Sequence, residues 1–307
     1  MTRAVIAQGR PLVLNHIPKT AGTSLTEGLI NAVQPTAPFH GIDRSALGPF
    51  EDVDRLSRRV RRRIIMTPDD IPADADAVFG HIGTATTMTR FPVANRLTVL
   101  REPRSRLLSH WLFCRAHTNF QLRSFGAWGE YVKVARQPLR DFLANREVAF
   151  YTDNLMTRFL AWPHPLTPVD AFIDSRHDQE LAALAIAEFD AFDFISVIED
   201  PKMKGDLATW LGRELVLPNS NSSPALPKRL RCDVAVEAEA STVLIEERSR
   251  IDALVWDALA ERVGFVEAGG GEAERDRIYE VTIARHRNNP IGVSRSRLRG
   301  ALQRRRA

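Results

Sequence analysis

Apolar residues come in short runs of strand length, separated by stretches of helical period, and the alternation predicts an α/β chain. Pro11 to Ile17, PLVLNHI, is too short for a buried helix and reads as a strand. A turn of small and hydroxyl residues, PKTAGTS, follows it. SLTEGLI then opens a helical pattern in which Ser24 and Glu27 have the spacing of a capping box. The same order of strand, turn and helix recurs at Leu97 to Trp111, LTVLREPRSRLLSHW. Asp76 to His81, DAVFGH, and Phe192 to Glu199, FDFISVIE, are two further short strands. The second leads into a helix, Met203 to Leu211, with Gly212 at its C-terminal end. This pattern predicts a P-loop-like three-layer sandwich, with a central parallel sheet of about four or five strands and helices on both faces.

The rest of the chain fills in around that frame. Ala32 to Pro49 reads as a loop rich in proline and glycine, containing His40 and Asp43. Glu51 to Ile65, EDVDRLSRRVRRRII, reads as a helix with acids at its start and arginines toward its end, as the helix dipole prefers. Those arginines fit either a solvated face or a groove for an acidic substrate. Phe120, Phe125, Trp128 and Tyr131 form an aromatic cluster that is either core or a wall for an acceptor. Thr152 to Trp162, Asp178 to Glu188 and Val234 to Val263 read as helices, and Pro218 to Arg231 as a long loop without apolar period. GGG at Gly269 to Gly271 marks the end of the folded body. A domain over 1–268 and a flexible basic tail over 269–307 follow, with a short helix around Ile278 to Ala284.

Charge sharpens this division. The chain of 307 residues carries a formal +4, but eight of its 42 basic residues lie from Arg285 onward, with no acid among them. The first 284 residues therefore carry 34 basic against 38 acidic side chains, close to −4. The tail is suited to anionic lipid, nucleic acid or an acidic glycan, or simply to solubility. No apolar run approaches the 18 residues or so of a membrane span, and MTRAVIAQGR lacks the apolar stretch of a signal peptide. Two cysteines, Cys114 and Cys232, give neither a disulfide framework nor a metal spacing. The expected setting is the reducing cytoplasm, with peripheral membrane contact through the tail as one option.

The first turn carries the chemistry. Backbone N–H groups at a helix start point at an anion, and the dipole favours negative charge there. Gly22 admits close backbone approach, Lys19 supplies a point charge, and Thr20, Thr23 and Ser24 supply hydroxyls. It is not a Walker A loop, in which the lysine follows a second glycine; here Lys19 precedes the loop's one glycine. An imidazole at a strand's carboxyl end suits proton abstraction near neutral pH, which singles out His81, with His40 and His110 as the next candidates.

HIPKTAGTS resembles the 5′-phosphosulfate loop of sulfotransferases, and most closely the group containing heparan sulfate 2-O-sulfotransferases and many bacterial carbohydrate sulfotransferases. LTVLREPRSRLLSHW resembles their 3′-phosphate element, whose arginine and serine fall on Arg101 and Ser109. The resemblance runs from Pro11 to Val263 and includes Asn154, Thr157, Arg158 and Leu160, and a strand phrase ending at Glu199. It implies an enzyme that transfers the sulfuryl group of 3′-phosphoadenosine 5′-phosphosulfate (PAPS) in line to a hydroxyl, with carbohydrate as the expected acceptor class, without a metal. By the resemblance, Thr20, Ala21, Gly22, Thr23 and Ser24 hold the 5′-phosphate, and Lys19 stabilises charge on the bridging oxygen. His81 is the base, although Ile82-Gly83-Thr84 follows it where the group has an aromatic residue or proline. A loop that closes over the adenosine and the 3′-phosphate falls on Asn221, Ser222, Lys228 and Arg229. Two other classes remain open: a P-loop-type kinase or phosphotransferase using ATP and Mg²⁺, and a nucleotide-binding module without chemistry.

Overall fold

A computed structural model describes residues 9–218 and 226–288. Six strands form one all-parallel sheet: β1 (Leu12–Asn15), β2 (Pro38–Asp43), β3 (Ile64–Ile65), β4 (Ala77–His81), β5 (Asn95–Leu100) and β6 (Phe194–Val197). Their order across the sheet is β3-β2-β4-β1-β5-β6. The helices are α1 (Gly22–Val33), α2 (Arg58–Arg61), α3 (Thr84–Arg90), α4 (Pro103–Arg115), α5 (Asn119–Ser124), α6 (Trp128–Lys133) and α7 (Leu139–Ala144). They continue as α8 (Ala149–Thr152), α9 (Leu155–Ala161), α10 (Asp178–Ala187), α11 (Met203–Leu211), α12 (Val234–Glu239), α13 (Thr242–Arg262) and α14 (Gly271–Asn288).

Side chains alternate across a strand, so β1, β4, β5 and β6 each feed two cores. Leu12 and Leu14, with Phe79, Leu97, Val99 and Phe194, pack against Leu25 and Leu29 of α1 and Leu207 and Trp210 of α11. On the opposite face the largest core gathers α4, α9, α10 and α13 around Trp111, Phe159, Leu181 and Trp256. Covering both faces makes the three-layer sandwich, and α4 is buried on nearly every side. No helix among the described residues is long and apolar enough to cross a membrane.

Several elements depart from the sequence reading. The sheet has six strands rather than four or five, because β2 lies inside the stretch read as the loop Ala32 to Pro49. PFHGID starts with proline and buries little beyond Gly41 and Asp43, so it lacks a clear strand signal. The helix expected over Glu51 to Ile65 shrinks to the single turn of α2, and its last two residues become the edge strand β3. Helix α1 starts at Gly22, with Ala21 in the left-handed region as its cap, so Ser24 sits inside the helix and makes no capping box. The helix expected around Ile278 to Ala284 is the whole of α14, which buries Ile278 and Thr282 and packs on α4, α12 and α13. Residues 289–307, with the remaining arginines of the tail, lie outside the described residues.

Asn154 and Arg158 belong to the scaffold. Asn154 breaks the helix expected over Thr152 to Trp162, with a left-handed φ of 48°. Its N–H donates to the Arg248 carbonyl at 2.7 Å, and its Oδ1 accepts from Ile251 N–H at 2.8 Å. It thereby stands in for one peptide group in the ladder of α13. Arg158 donates to the Asp153 carboxylate at 2.8 Å and to the carbonyls of Asp153, Pro168 and Ala171. Its donors are spent on this network, which leaves it no part in holding a nucleotide.

Asp153 is fully buried and faces three arginines, Arg158, Arg248 and Arg250, at 2.8, 3.9 and 3.7 Å. Asp153→Ala leaves the buried Arg158 without its carboxylate, while Arg248 and Arg250 keep Glu247 and Asp178. We expect it to cost about 3–5 kcal/mol, read as a lower urea midpoint with an unchanged m-value. A loss below about 1 kcal/mol would show that Arg158 is satisfied by backbone carbonyls alone.

Candidate active site

The topology creates the crevice. β1 leads through α1 to β2 on one side, while the adjacent β5 leads through α4 to β6 on the other. Ligands in open parallel sheets collect outside the carboxyl ends of strands at such a reversal. The β1–α1 turn and the β5–α4 turn meet there. Arg101 Nη1 donates to the Lys19 carbonyl at 3.2 Å, across 82 residues of sequence.

In the first turn, Lys19 and Ala21 have φ of 74° and 64°. Alternation into the left-handed region turns successive N–H groups toward one concavity, a known device for anions. The first helical bond runs from Leu25 N–H to the Ala21 carbonyl at 3.0 Å, which leaves the N–H groups of Gly22, Thr23 and Ser24 without intrahelical acceptors. Thr23 is exposed and Ser24 buried. Thr20 differs from its sequence reading: its hydroxyl donates to the Ile17 carbonyl at 2.9 Å and its N–H to the same oxygen at 3.3 Å, so its donors hold the loop together. Lys19 Nζ lies 4.2 Å from the centroid of the Phe113 ring on α4.

Arg101 is followed by Glu102, which caps α4 by accepting from the N–H groups of Arg104 and Ser105 at 3.1 and 2.7 Å. Ser109 lies two turns into α4 and is nearly buried. Burial lowers the Arg101 pKa, against the pull of Glu199 and Glu102. Glu199 comes just after β6. Its Oε1 accepts from Glu102 N–H at 3.0 Å and its Oε2 is buried without a hydrogen-bond partner. Burial raises the Glu199 pKa to about 7, although Arg101 opposes the rise.

His81 ends β4. Its Nδ1 is 2.8 Å from the His16 carbonyl. A carbonyl can only accept, so Nδ1 carries the proton and Nε2 keeps its lone pair. Burial lowers the His81 pKa; the bond to His16 opposes that, and Arg63 and Lys19 add to it. The imidazole is therefore neutral near pH 7. Two supports fix this end of β4. Gly80, with φ of 149°, brings the strand so close to β2 that a Cβ would lie 1.9 Å from the Gly41 carbonyl oxygen. Buried Asp43 accepts from the N–H groups of Ser45 and Gly83 at 2.8 and 2.9 Å. The other two histidine candidates are placed differently. His110 is packed in the core against Tyr151, and the His40 ring stacks on Phe79.

Sequence reasoning did not single out His16. Its ring is 4.6 Å from that of His81, centroid to centroid, and its buried Nε2 has no hydrogen-bond partner. It lies where a side chain on Gly22 would be: a Cβ there would come within 1.9–2.0 Å of three ring atoms. Its signal was its position between the strand and the turn. Glu199 was quoted as part of a strand phrase, but burial and its orphaned oxygen appear only in three dimensions.

Lys228 and Arg229 are not brought to Arg101. Arg229 donates to Asn119 Oδ1 at 3.2 Å, just past the C-terminal end of α4, and α4 itself spans about 20 Å. Asn221 and Ser222 lie outside the described residues. In the aromatic cluster, Trp128 and Tyr131 pack against Phe50 and Phe150 as core, while Phe120 is exposed. The arginines of the segment 55–63 are exposed, with Arg63 close enough to act on His40 and His81. Among the described residues no group of three or more His, Cys, Asp or Glu is arranged to hold a metal. The chain matches no protein-family model, and no curated protein matches it significantly.

Two tests follow from this geometry. Gly22→Ala should destabilise the protein by about 1–3 kcal/mol through overpacking, and adding His16→Ala should recover most of that loss. Thermal unfolding of the two single variants and the double variant decides it; additive losses would mean that the ring is no obstacle. Burial also depresses the pKa values of His16, His81 and His110. Below about pH 6.5 the unfolded chain takes up protons that the native state refuses, so their contribution is full above that pH. It is lost as pH falls through the lower folded-state values. Urea midpoints from pH 7.5 to 5 should decline, and a flat profile would show that the rings are freely solvated.

Proposed function

We propose that the chain is a sulfotransferase that moves the sulfuryl group of PAPS to a hydroxyl, with a carbohydrate as the acceptor class. The observation that carries the reading is the bond from Arg101 to the Lys19 carbonyl. It supports the pairing of two turns that separately resemble the 5′-phosphosulfate and 3′-phosphate elements of sulfotransferases. The acceptor oxygen attacks sulfur and forms the new S–O bond as the S–O bond to the 5′-phosphate breaks. The acceptor proton passes to His81 Nε2, and 3′,5′-adenosine bisphosphate leaves. Lys19 and the N–H groups of Gly22, Thr23 and Ser24 stabilise the charge growing on the 5′-phosphate side, while Arg101 and Ser109 hold the 3′-phosphate. The ring of His81 is held by the His16 carbonyl throughout, which aims its basic nitrogen and makes it a better proton acceptor.

Calorimetric titration with 3′,5′-adenosine bisphosphate, without metal, should show micromolar binding that Arg101→Ala abolishes. Binding of ATP with Mg²⁺ in its place would point to a phosphotransferase; binding of neither would leave the reading without support. His81→Ala should cut turnover by at least about 10²-fold and leave nucleotide affinity nearly unchanged. Because the His81 pKa is lowered, the wild-type rate should be level through neutral pH and fall on the acid side of about 6.5. A His81→Ala enzyme with full activity would remove the base assignment.

A further inference from the structure

The last turn of α14 reaches the same crevice. One face of this helix carries Asp276, Tyr279, Thr282 and His286, spaced three, three and four residues apart. Asp276 pairs with Arg104 Nη1 at 2.9 Å, and the Arg104 guanidinium lies 4.9 Å from the Tyr279 ring centroid. Ser105 Oγ and Thr282 Oγ1 are hydrogen-bonded at 2.9 Å. These contacts lay α14 along the first turn of α4, directly after Arg101. The next turn of α14 places partly buried His286 beside exposed Arg285.

The charges that act on His286 have one sign. Burial, then Arg101, Arg285 and Lys19, push the His286 pKa down to about 4, and Arg285 also acts on Arg101. The carboxylates on the inner side of Arg101 are Glu102 and Glu199. Glu102 is taken up by Arg104 and the start of α4, and Glu199 accepts from Glu102 N–H. Lys19 from the first turn, Arg101 from the second and Arg285 from α14 thus all act on an imidazole that burial and their like charge keep neutral. An anion of two or more charges would relieve that repulsion, and would favour protonation of His286.

We infer that the last turn of α14 is a wall of the anion pocket, where Arg285 and His286 join Arg101 in binding the 3′-phosphate of the nucleotide. The identity of that phosphate rests on the proposed function; the anion pocket itself does not.

Two measurements on the full chain separate the two claims. The first follows the His286 imidazole proton signal, assigned by its absence in His286→Ala, during pH titrations with and without inorganic pyrophosphate. Pyrophosphate should raise the His286 pKa by at least about one unit, and an unmoved titration overturns the inference. The second is calorimetry of Arg285→Ala, whose exposed side chain can be removed without disturbing the core. Its affinity for 3′,5′-adenosine bisphosphate should fall about tenfold, while that for adenosine 5′-monophosphate stays within twofold. Unchanged affinity for the bisphosphate overturns the inference and leaves the sulfotransferase reading standing. Equal losses for both nucleotides overturn the assignment to the 3′-phosphate. A pyrophosphate-dependent shift in a wild-type protein that binds no bisphosphate supports the pocket wall and overturns the nucleotide reading.

Discussion

The hydrogen bond from Arg101 to the Lys19 carbonyl ties together the ends of two neighbouring strands, and the geometry of the crevice depends on it. Lys19 is held in the left-handed region, a conformation that costs a residue with a side chain of order 1–3 kcal/mol and that persists only when its surroundings enforce it. The guanidinium on its carbonyl, the two bonds from Thr20 to Ile17 and the start of α1 supply that enforcement. The result is a turn with three N–H groups lacking intrahelical partners, next to an arginine whose charge is only partly met by buried carboxylates. A site of this kind is organised before any ligand arrives, which is the condition for electrostatic stabilisation to favour a transition state.

Burial sets the protonation states around that turn. Desolvation keeps His16, His81 and His110 neutral, and it moves Glu199 to about 7 in spite of the neighbouring Arg101. The ends of β1 and β4 therefore carry neutral imidazoles, His16 and His81, whose protonation burial opposes. His81 differs from the other two because its Nδ1 rests on a backbone carbonyl, which leaves a defined lone pair on the opposite side of the ring. His16 contributes both that carbonyl and the ring that rests on Gly22, so one residue couples the β1–α1 turn to the end of β4.

Most of the frame was legible because its strands are apolar on both faces and its helices start at clear turns. The run from Phe194 through α11 to Gly212, which has φ of 63°, follows the sequence pattern closely. Strand β2 was not legible, since PFHGID is half-buried and owes its place in the sheet to pairing with β4. The helix read over Glu51 to Ile65 had a good charge pattern, but its arginines face solvent and nothing apolar holds them helical. Asn154 and Arg158 belong to a segment that resembles the sulfotransferase family, and the structure engages them with α13 and with Asp153.

The sequence by itself determined the two strand-turn-helix units, the parallel α/β class and the candidates Lys19 and His81, because period, glycine placement and hydroxyl density are local properties; Arg101 entered through the resemblance of its segment to the 3′-phosphate element. Only the tertiary structure decided that the two turns meet, that the donors of Thr20 face inward, and that His81 carries its proton on Nδ1. It also decided that α14, read from sequence as a short helix in a basic tail, ends beside Arg101. Those outcomes depend on strand order, burial and contacts between residues up to 180 or so positions apart, which no window along the chain contains.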